Sequence, residues 1–475
     1  MNQDTKDKIF RFLQDQITQA EFRTRAYVFD ENNKKNPTRN AFVKLRMHKN
    51  NFLKGGASVR WLVIPGFRGT GKTTLLAQLY HDTDKTNINI LYLSLDQVVQ
   101  ILGVTLNDVL TIYEEILGSP FEQMNKRLIL FIDEVQYDIN WAIVLKSLYD
   151  RSNKIFIIAT GSSAVMLQNN PDVGRRAIFE KLYPMCFTEY VKIKLGKYEI
   201  PRLSKKIRDV IFNSINAQQV FDGLKKLEND ARRYWLNINR MEIDKYIKYG
   251  TLPFMVALNN EALVYDQVKK TIDRVVSNDI PQIGQFSPEI VSVIPTLLYA
   301  IADSDQLSIN TITKTLQISR PTIMSILDTL EKTETLLRIH PHGSHMAQAR
   351  KPSKYLFSSP AFRSMYFSFI GSIKNPTEKI GKLLEDTIGL YLNRFLSSQT
   401  NTALTYDSAE RGADFIIRFG NENIIAEIGM GKKDCDQVEH SMKRIKAKYG
   451  LVISMSPLRQ HGNCVYVPLS YFLLV

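Results

Sequence analysis

The sequence predicts an α/β fold in which two sheet domains flank a helical middle. Three observations carry this reading. Short apolar runs at 59–65, 88–95, 128–132 and 155–160 alternate with helical patterns, as in a mostly parallel sheet covered on both faces. Between about 190 and 375 helical periodicity dominates, with one short strand candidate at 336–340. Strand-like runs return at 414–419, 424–428 and 451–454. The 475 residues fit about three domains at roughly 100–200 residues each.

The elements follow in order. Residues 2–30 read as a helix, because Ile9, Phe10, Phe12, Leu13, Ile17 and Phe22 recur at helical spacing. Residues 32–37 form a polar turn ending in Pro37. A second helix runs through Phe42, Val43, Leu45 and Phe52 and stops at Gly55-Gly56. The expected division is a basic N-terminal helical segment (1–55), a first α/β domain (56–190), a helical region (191–278), a second helical segment (279–375) and a C-terminal α/β domain (376–475).

Composition excludes several classes. Charged residues at 23% and aromatics at 10% rule out wholesale disorder, and no run of about 18 apolar residues predicts a membrane span. The polar start is unlike a secretory signal, and the expectation is a soluble, cytoplasmic chain. Cys186, Cys435 and Cys464 lie far apart in sequence, so no local zinc site or disulfide framework is expected. The net charge of +14 is concentrated: residues 1–60 hold 13 basic against 6 acidic side chains, and residues 191–240 hold 12 against 5. Two basic segments on a neutral body predict an acidic partner, with nucleic acid the leading candidate, or else a solvated surface on a generally basic protein.

The first strand runs into Gly66-Phe67-Arg68-Gly69-Thr70-Gly71-Lys72-Thr73-Thr74 and then an apolar helix. This is GxxxxGK[ST] in its confirming context of strand, loop and helix. Glycines let backbone N–H groups face phosphates at a helix N-terminus, where the dipole favours negative charge. The expected nucleotide contacts are Gly66, Arg68, Gly69, Thr70, Gly71, Lys72, Thr73 and Thr74, with Lys72 on the β- and γ-phosphates of ATP and the Thr73 hydroxyl on Mg²⁺.

About sixty residues on, Leu128-Ile129-Leu130-Phe131-Ile132-Asp133-Glu134 ends an apolar strand in two carboxylates. Asp133 is expected to hold Mg²⁺ with Thr73, and Glu134 to act as general base toward the attacking water or else to cap the following helix. The next strand ends in Gly161-Ser162-Ser163, where Ser162 is expected to contact the γ-phosphate or cap the following helix. In Gly174-Arg175-Arg176, one arginine, assigned as Arg176, is expected to reach a neighbouring subunit's phosphate, or else to form a surface ion pair.

Residues 308–316, a turn at 317–320 and residues 321–330 read as a helix-turn-helix, with Ser319 as N-cap and Pro321 in the first turn. Arg320, Thr322 and Ser325 would face DNA, while Asp328, Glu331 and Glu334 oppose deep insertion.

These motifs together with Trp141 to Tyr149, the run from Gly174 to Tyr190 and Tyr249-Gly250-Thr251-Leu252-Pro253-Phe254 resemble prokaryotic AAA-type P-loop ATPases with an uncharacterised C-terminal domain. The resemblance spans nearly the whole chain. It implies a P-loop ATPase domain at 56–190, a lid-like helical region at 191–278, a winged-helix-like domain at 279–375 and a restriction-endonuclease-like domain at 376–475. It also implies that Lys72, Thr73, Asp133 and Glu134 form the ATP site, and such domains often assemble into homo-oligomeric rings.

In the C-terminal domain, Glu385 on a helix, Asp414 at a strand start and Glu427 at the next strand's end have the restriction-endonuclease-like layout, and form a candidate second Mg²⁺ site. The lysine of the Glu-x-Lys pattern is replaced by Gly429, leaving Lys432 or Lys433 to swing in from a glycine-rich turn. Mobile lysines hold water poorly, so weak or no nuclease activity is expected. The sequence thus predicts a Mg²⁺-dependent ATPase coupling nucleotide state to a DNA-associated, nuclease-like module. The alternative is a nucleotide-dependent switch or scaffold that binds protein partners without nucleic-acid activity.

Overall fold

The computed structural model describes all residues except 57–58, 162–170, 259, 305–308, 345, 347, 349–350, 370–375 and 431–434. Ser162, Ser163, Lys432 and Lys433 therefore lie outside the described residues. The chain divides into two compact units, Met1–Tyr183 and Pro184–Val475.

In the first unit, helices α1 (Gln3–Val28) and α2 (Ala41–Leu53) precede β1 (Trp61–Pro65), α3 (Lys72–His81), β2 (Ile88–Ser94), α4 (Leu106–Leu117), β3 (Arg127–Asp133), α5 (Trp141–Arg151), β4 (Ile155–Gly161) and β5 (Ile178–Phe179). The five strands are parallel in the order β2-β3-β4-β1-β5. Every residue of β1 and β4 is buried, which explains their unbroken apolar sequence. Alternate side chains serve opposite faces. Trp61, Val63, Leu128, Leu130, Ile155 and Ile157 pack with α1, α4 and α5. Leu62, Ile64, Ile129, Phe131, Phe156 and Ile158 pack with α2 and α3. The expected strands are present. The two-residue β5 is too short to show a period and was not expected.

The first helix forms where its spacing predicts, but its buried stripe differs. Ile9, Leu13, Gln16, Ala20, Thr24 and Val28 face inward, while Phe10, Ile17 and Phe22 are exposed. A polar residue is tolerated on the inner face because the Thr24 hydroxyl bonds the Ala20 carbonyl at 2.6 Å and lies 2.9 Å from His81 Nε2.

The second unit opens with helices from Phe187–Leu195 to Pro288–Asp303. The helix pair Ile309–Leu316 and Arg320–Lys332 follows, with Ser319 capping the second through Thr322 N–H at 3.3 Å. A hairpin of β6 (Leu336–Pro341) and β7 (Lys354–Phe357) comes next, then helices Pro360–Phe369 and Pro376–Leu396. The remaining strands are β8 (Thr402–Tyr406), β9 (Phe415–Phe419), β10 (Glu422–Gly429), β11 (Ala447–Ser454), β12 (Arg459–His461) and β13 (Cys464–Pro468). All eight form one mixed sheet, β12-β13-β11-β10-β9-β8-β6-β7. The hairpin joins it because β6 pairs in parallel with β8 through His340–Thr405 and Pro341–Tyr406. Cys435 and Cys464, distant in sequence, meet in one buried cluster as free thiols.

Candidate functional site

The chain starts the parallel sheet at β1, passes to the β2 edge, returns through β3 and β4, and crosses β1 to reach β5. In open α/β sheets ligands bind beyond the carboxyl ends of strands at such a reversal. The loop at 66–71 leaves β1 at this point. Gly71 caps α3 with φ 91°, and Gly69 turns at φ 86°; both lie in the left-handed region that side chains avoid. Gly66 has a different reason: an added Cβ would lie 2.5 Å from the Leu182 carbonyl oxygen.

Lys72 is buried, its Nζ donating to the Gly66 and Phe67 carbonyls at 2.9 and 3.1 Å. The Thr70 hydroxyl donates to Phe67 O at 2.8 Å. Arg68 sits half-buried in the loop, and Thr74 half-buried in the first turn of α3. Thr73 Oγ1 donates to Asp133 Oδ2 at 2.7 Å, so helix start and strand end meet where their sequence motifs require. The other Asp133 oxygen accepts from the Thr160 hydroxyl, and Thr160 Oγ1 in turn accepts from Glu134 N–H at 3.3 Å. Glu134 has φ 53° and ψ 49°, a strained conformation for a non-glycine residue, and its carboxylate accepts from Gln136.

Asp133 is 4% exposed. Burial and the neighbouring Glu134 charge push its carboxyl up to about 6, against the hydrogen bonds from Thr160 and Thr73 and the Lys72 charge, which pull it down. A carboxyl raised by folding costs stability once ionised. That cost is absent below the unfolded value near 4 and fully present above about 6. In the absence of metal and nucleotide, Asp133→Asn should therefore raise Tm relative to wild type at neutral pH, and the gain should vanish in acid. Equal shifts at both pH values in thermal melts would contradict the linkage.

Two contributors were invisible in the sequence. Thr160 joins the site because β3 and β4 are neighbours, with Ile132 opposite Ala159. Arg39 lies in a polar connection that gives no signal, yet it is buried. It donates to Thr70 O at 2.6 Å and Tyr183 O at 2.7 Å, bracing the phosphate loop. Arg176 forms a bidentate ion pair with Asp150 of the same chain at 2.9 and 3.0 Å, the surface-pair alternative; Arg175 is exposed.

The basic segments are partly consumed internally. Lys49 is fully buried, with Nζ 3.1 Å from Asp82 and 3.0 Å from Thr83, and burial lowers its pKa. Arg46 also pairs with Asp82, and Lys44 with Glu180. In the second segment Lys194 pairs with Glu242, and Arg232 with Glu228.

In the second unit Glu385, Asp414 and Glu427 are brought near one another. Lys354 on β7 pairs with Glu385 and lies 3.4 Å from Asp414 Oδ1. Asp414 Oδ2 accepts from Ile428 N–H at 2.9 Å, and the fully buried Glu427 accepts from Asp414 N–H at 3.2 Å. Lys354, Glu385 and Asp414 line a cavity of about 270 Å³ with Asp407, Arg411 and Gln437. Among the described residues no group of three or more His, Cys, Asp or Glu side chains is arranged to hold a metal ion. The ammonium of Lys354 contacts both Glu385 and Asp414, two of the three residues expected to form a second metal site. No helix among the described residues is long and apolar enough to cross a membrane.

Residues 58–191 match the family model described as an AAA domain, and residues 240–367 match a domain of unknown function, DUF8612. The uncharacterized protein MJ1637 of Methanocaldococcus jannaschii is 35% identical over 420 residues, 87% of this chain and 84% of the relative. The uncharacterized protein MJ1544 of the same organism is 23% identical over 220 residues, 46% of this chain and 41% of the relative. Among solved structures, the Walker-type ATPase PABY2304 of Pyrococcus abyssi is 14% identical, with 68% of this chain and 94% of that chain covered at a TM-score of 0.35. The chain belongs to the family of protein MJ1637, and within it residues 58–191 form an ATP-binding domain of AAA type.

Proposed function

We propose that the chain is a Mg²⁺-dependent ATPase that couples nucleotide state to its C-terminal module, with DNA as the partner. The observation that carries this reading is the hydrogen-bonded set Thr73–Asp133–Thr160 beside Lys72, with Glu134 next in sequence. Gly66 to Thr74 would wrap the phosphates with backbone N–H groups, and Lys72 would exchange its two loop carbonyls for phosphate oxygens. The Thr73 hydroxyl and the Asp133 carboxylate are the residues fit to hold Mg²⁺, which would neutralise charge on the β- and γ-phosphates. Their fit rests on a hard oxygen pair already facing each other, with Asp133 poorly solvated and so best ionised beside a cation. Glu134 would take a proton from the attacking water.

The partner half of the proposal rests on the basic side chains left at the surface and on the helix pair capped by Ser319. For the C-terminal cluster, the ion pairing of Lys354 and the engagement of both Asp414 oxygens support a module retained for binding or assembly over one that cleaves nucleic acid. Lys72→Ala should abolish ATP turnover, and DNA affinity should fall steeply with salt and differ with and without ATP. Turnover surviving the substitution would overturn the site. Absence of DNA binding at low salt would favour a switch acting on protein partners.

A further inference from the structure

At the edge of the parallel sheet opposite the phosphate loop lies a cavity of about 730 Å³. Its lining comes from the amino ends of four strands. Arg60 precedes β1, Ile88 begins β2, Lys126 precedes and Arg127 begins β3, and Lys154 precedes β4. The sheet order β2-β3-β4-β1 and the pairings Ile88–Arg127, Leu128–Ile155 and Trp61–Ile157 set these positions in one row. Four cations and three asparagines line the cavity, and no carboxylate does.

The charges are held in place but not neutralised. Arg60 Nη1 donates to Ser152 O at 2.8 Å, and its guanidinium lies 3.9 Å from the centre of the Tyr149 ring. Arg127 Nη1 donates to Leu53 O at 2.5 Å, and Lys154 Nζ to Met124 O at 2.7 Å. Carbonyl oxygens and an aromatic face orient a cation without cancelling it, and each arginine has five N–H donors to distribute. Among the described residues none of the four cations forms an ion pair. In the basic N-terminal segment, to which only Arg60 of this row belongs, the fold supplies partners such as Asp82 and Glu180, so the row stands apart.

We propose that this edge is a second anion site, separate from the ATP site, which binds the phosphate groups of a phosphate-bearing ligand. Planar guanidinium forks and ammonium groups with no competing carboxylate match phosphate oxygens in charge and donor geometry. A cavity of this size admits more than one phosphate group. The source is either a free oligophosphate or the backbone of a nucleic acid, and the test separates them.

Tripolyphosphate binding is measured by calorimetry on the full chain carrying Lys72→Ala, which disables the phosphate loop. Adding Lys126→Ala with Lys154→Ala should weaken binding about tenfold or more. Lys126→Glu, at an exposed position, provides a second variant that leaves the lysine and arginine anchors intact. Oligonucleotide binding at low and high salt forms the second arm. Loss in the tripolyphosphate arm identifies a free oligophosphate; loss in the oligonucleotide arm alone identifies a nucleic-acid backbone. Binding in neither arm, or binding unaffected by both variants, overturns the proposal. In a background with Lys72 intact, the edge variants should keep the wild-type Tm and ATP turnover, so failure here is distinct from failure of the ATP site.

Discussion

Glu134→Gln should lower ATP turnover by about 10²–10⁴-fold, the usual contribution of a positioned general base, while leaving ATP affinity within a few-fold. The glutamine keeps the shape and the Gln136 contact but cannot accept a proton as a carboxylate does. The backbone strengthens the case for a special position. Glu134 holds a left-handed conformation that costs on the order of 1–3 kcal/mol for such a residue, immediately after a fully buried strand end. Its N–H is tied to Thr160, the residue that also bonds Asp133. Glu134→Gly supplies a contrast: it should relieve the strain and raise stability, yet lose turnover as completely. Single-turnover hydrolysis and ATP binding, measured on both variants, check the prediction. Wild-type turnover in the glutamine variant would remove Glu134 from the chemistry.

Arg363→Met should destabilise the second unit by about 3–5 kcal/mol, because it strands a buried carboxylate. Arg363 and Asp386 are 2% and 0% exposed, and they meet in a bidentate pair at 2.6 and 2.9 Å. Arg363 also donates to the carbonyls of Ile301 and Ala302 at 3.1 and 2.9 Å, near the end of helix Pro288–Asp303. Asp386 further accepts from Phe357 N–H on β7. One ion pair thus ties three helices to the sheet. Burial raises the Asp386 carboxyl despite the arginine, so without Arg363 the carboxyl is easier still to protonate. The deficit should therefore shrink in acid. Combining Arg363→Met with Asp386→Leu should recover much of the loss, since an apolar pair needs no charge compensation. Urea unfolding at neutral and acid pH measures all three, and a single-variant loss below about 1 kcal/mol would contradict it.

Local order was strong in the sequence wherever a backbone had one physical option. The buried strands β1, β3 and β4 read as apolar runs because both their faces are covered, and GxxxxGK[ST] reads as a loop because only glycine tolerates Gly71's φ and Gly66's approach to Leu182. Lys72, Thr73, Asp133 and Glu134 were legible for the same reason: each stands at a strand or helix end that its own neighbours define. Short or polar strands were not. β8 reads Thr-Ala-Leu-Thr-Tyr, and β5 has two residues, too few for a period to emerge.

What the tertiary structure alone decided was which side chains meet. Thr160 reaches Asp133 because β4 lies beside β3; Arg39 reaches the phosphate loop across thirty-one positions; Lys354 reaches Asp414 across sixty. The inward face of α1 was likewise chosen by its neighbours, which buried Gln16 and Thr24 and left Phe22 outside. The sequence by itself determined the apolar strands, the periodic helices, the phosphate loop and the paired carboxylates, since these depend on backbone geometry within a few residues. The partners of each charge were decided by strand order and packing, because a pairing between distant segments leaves no period in the chain.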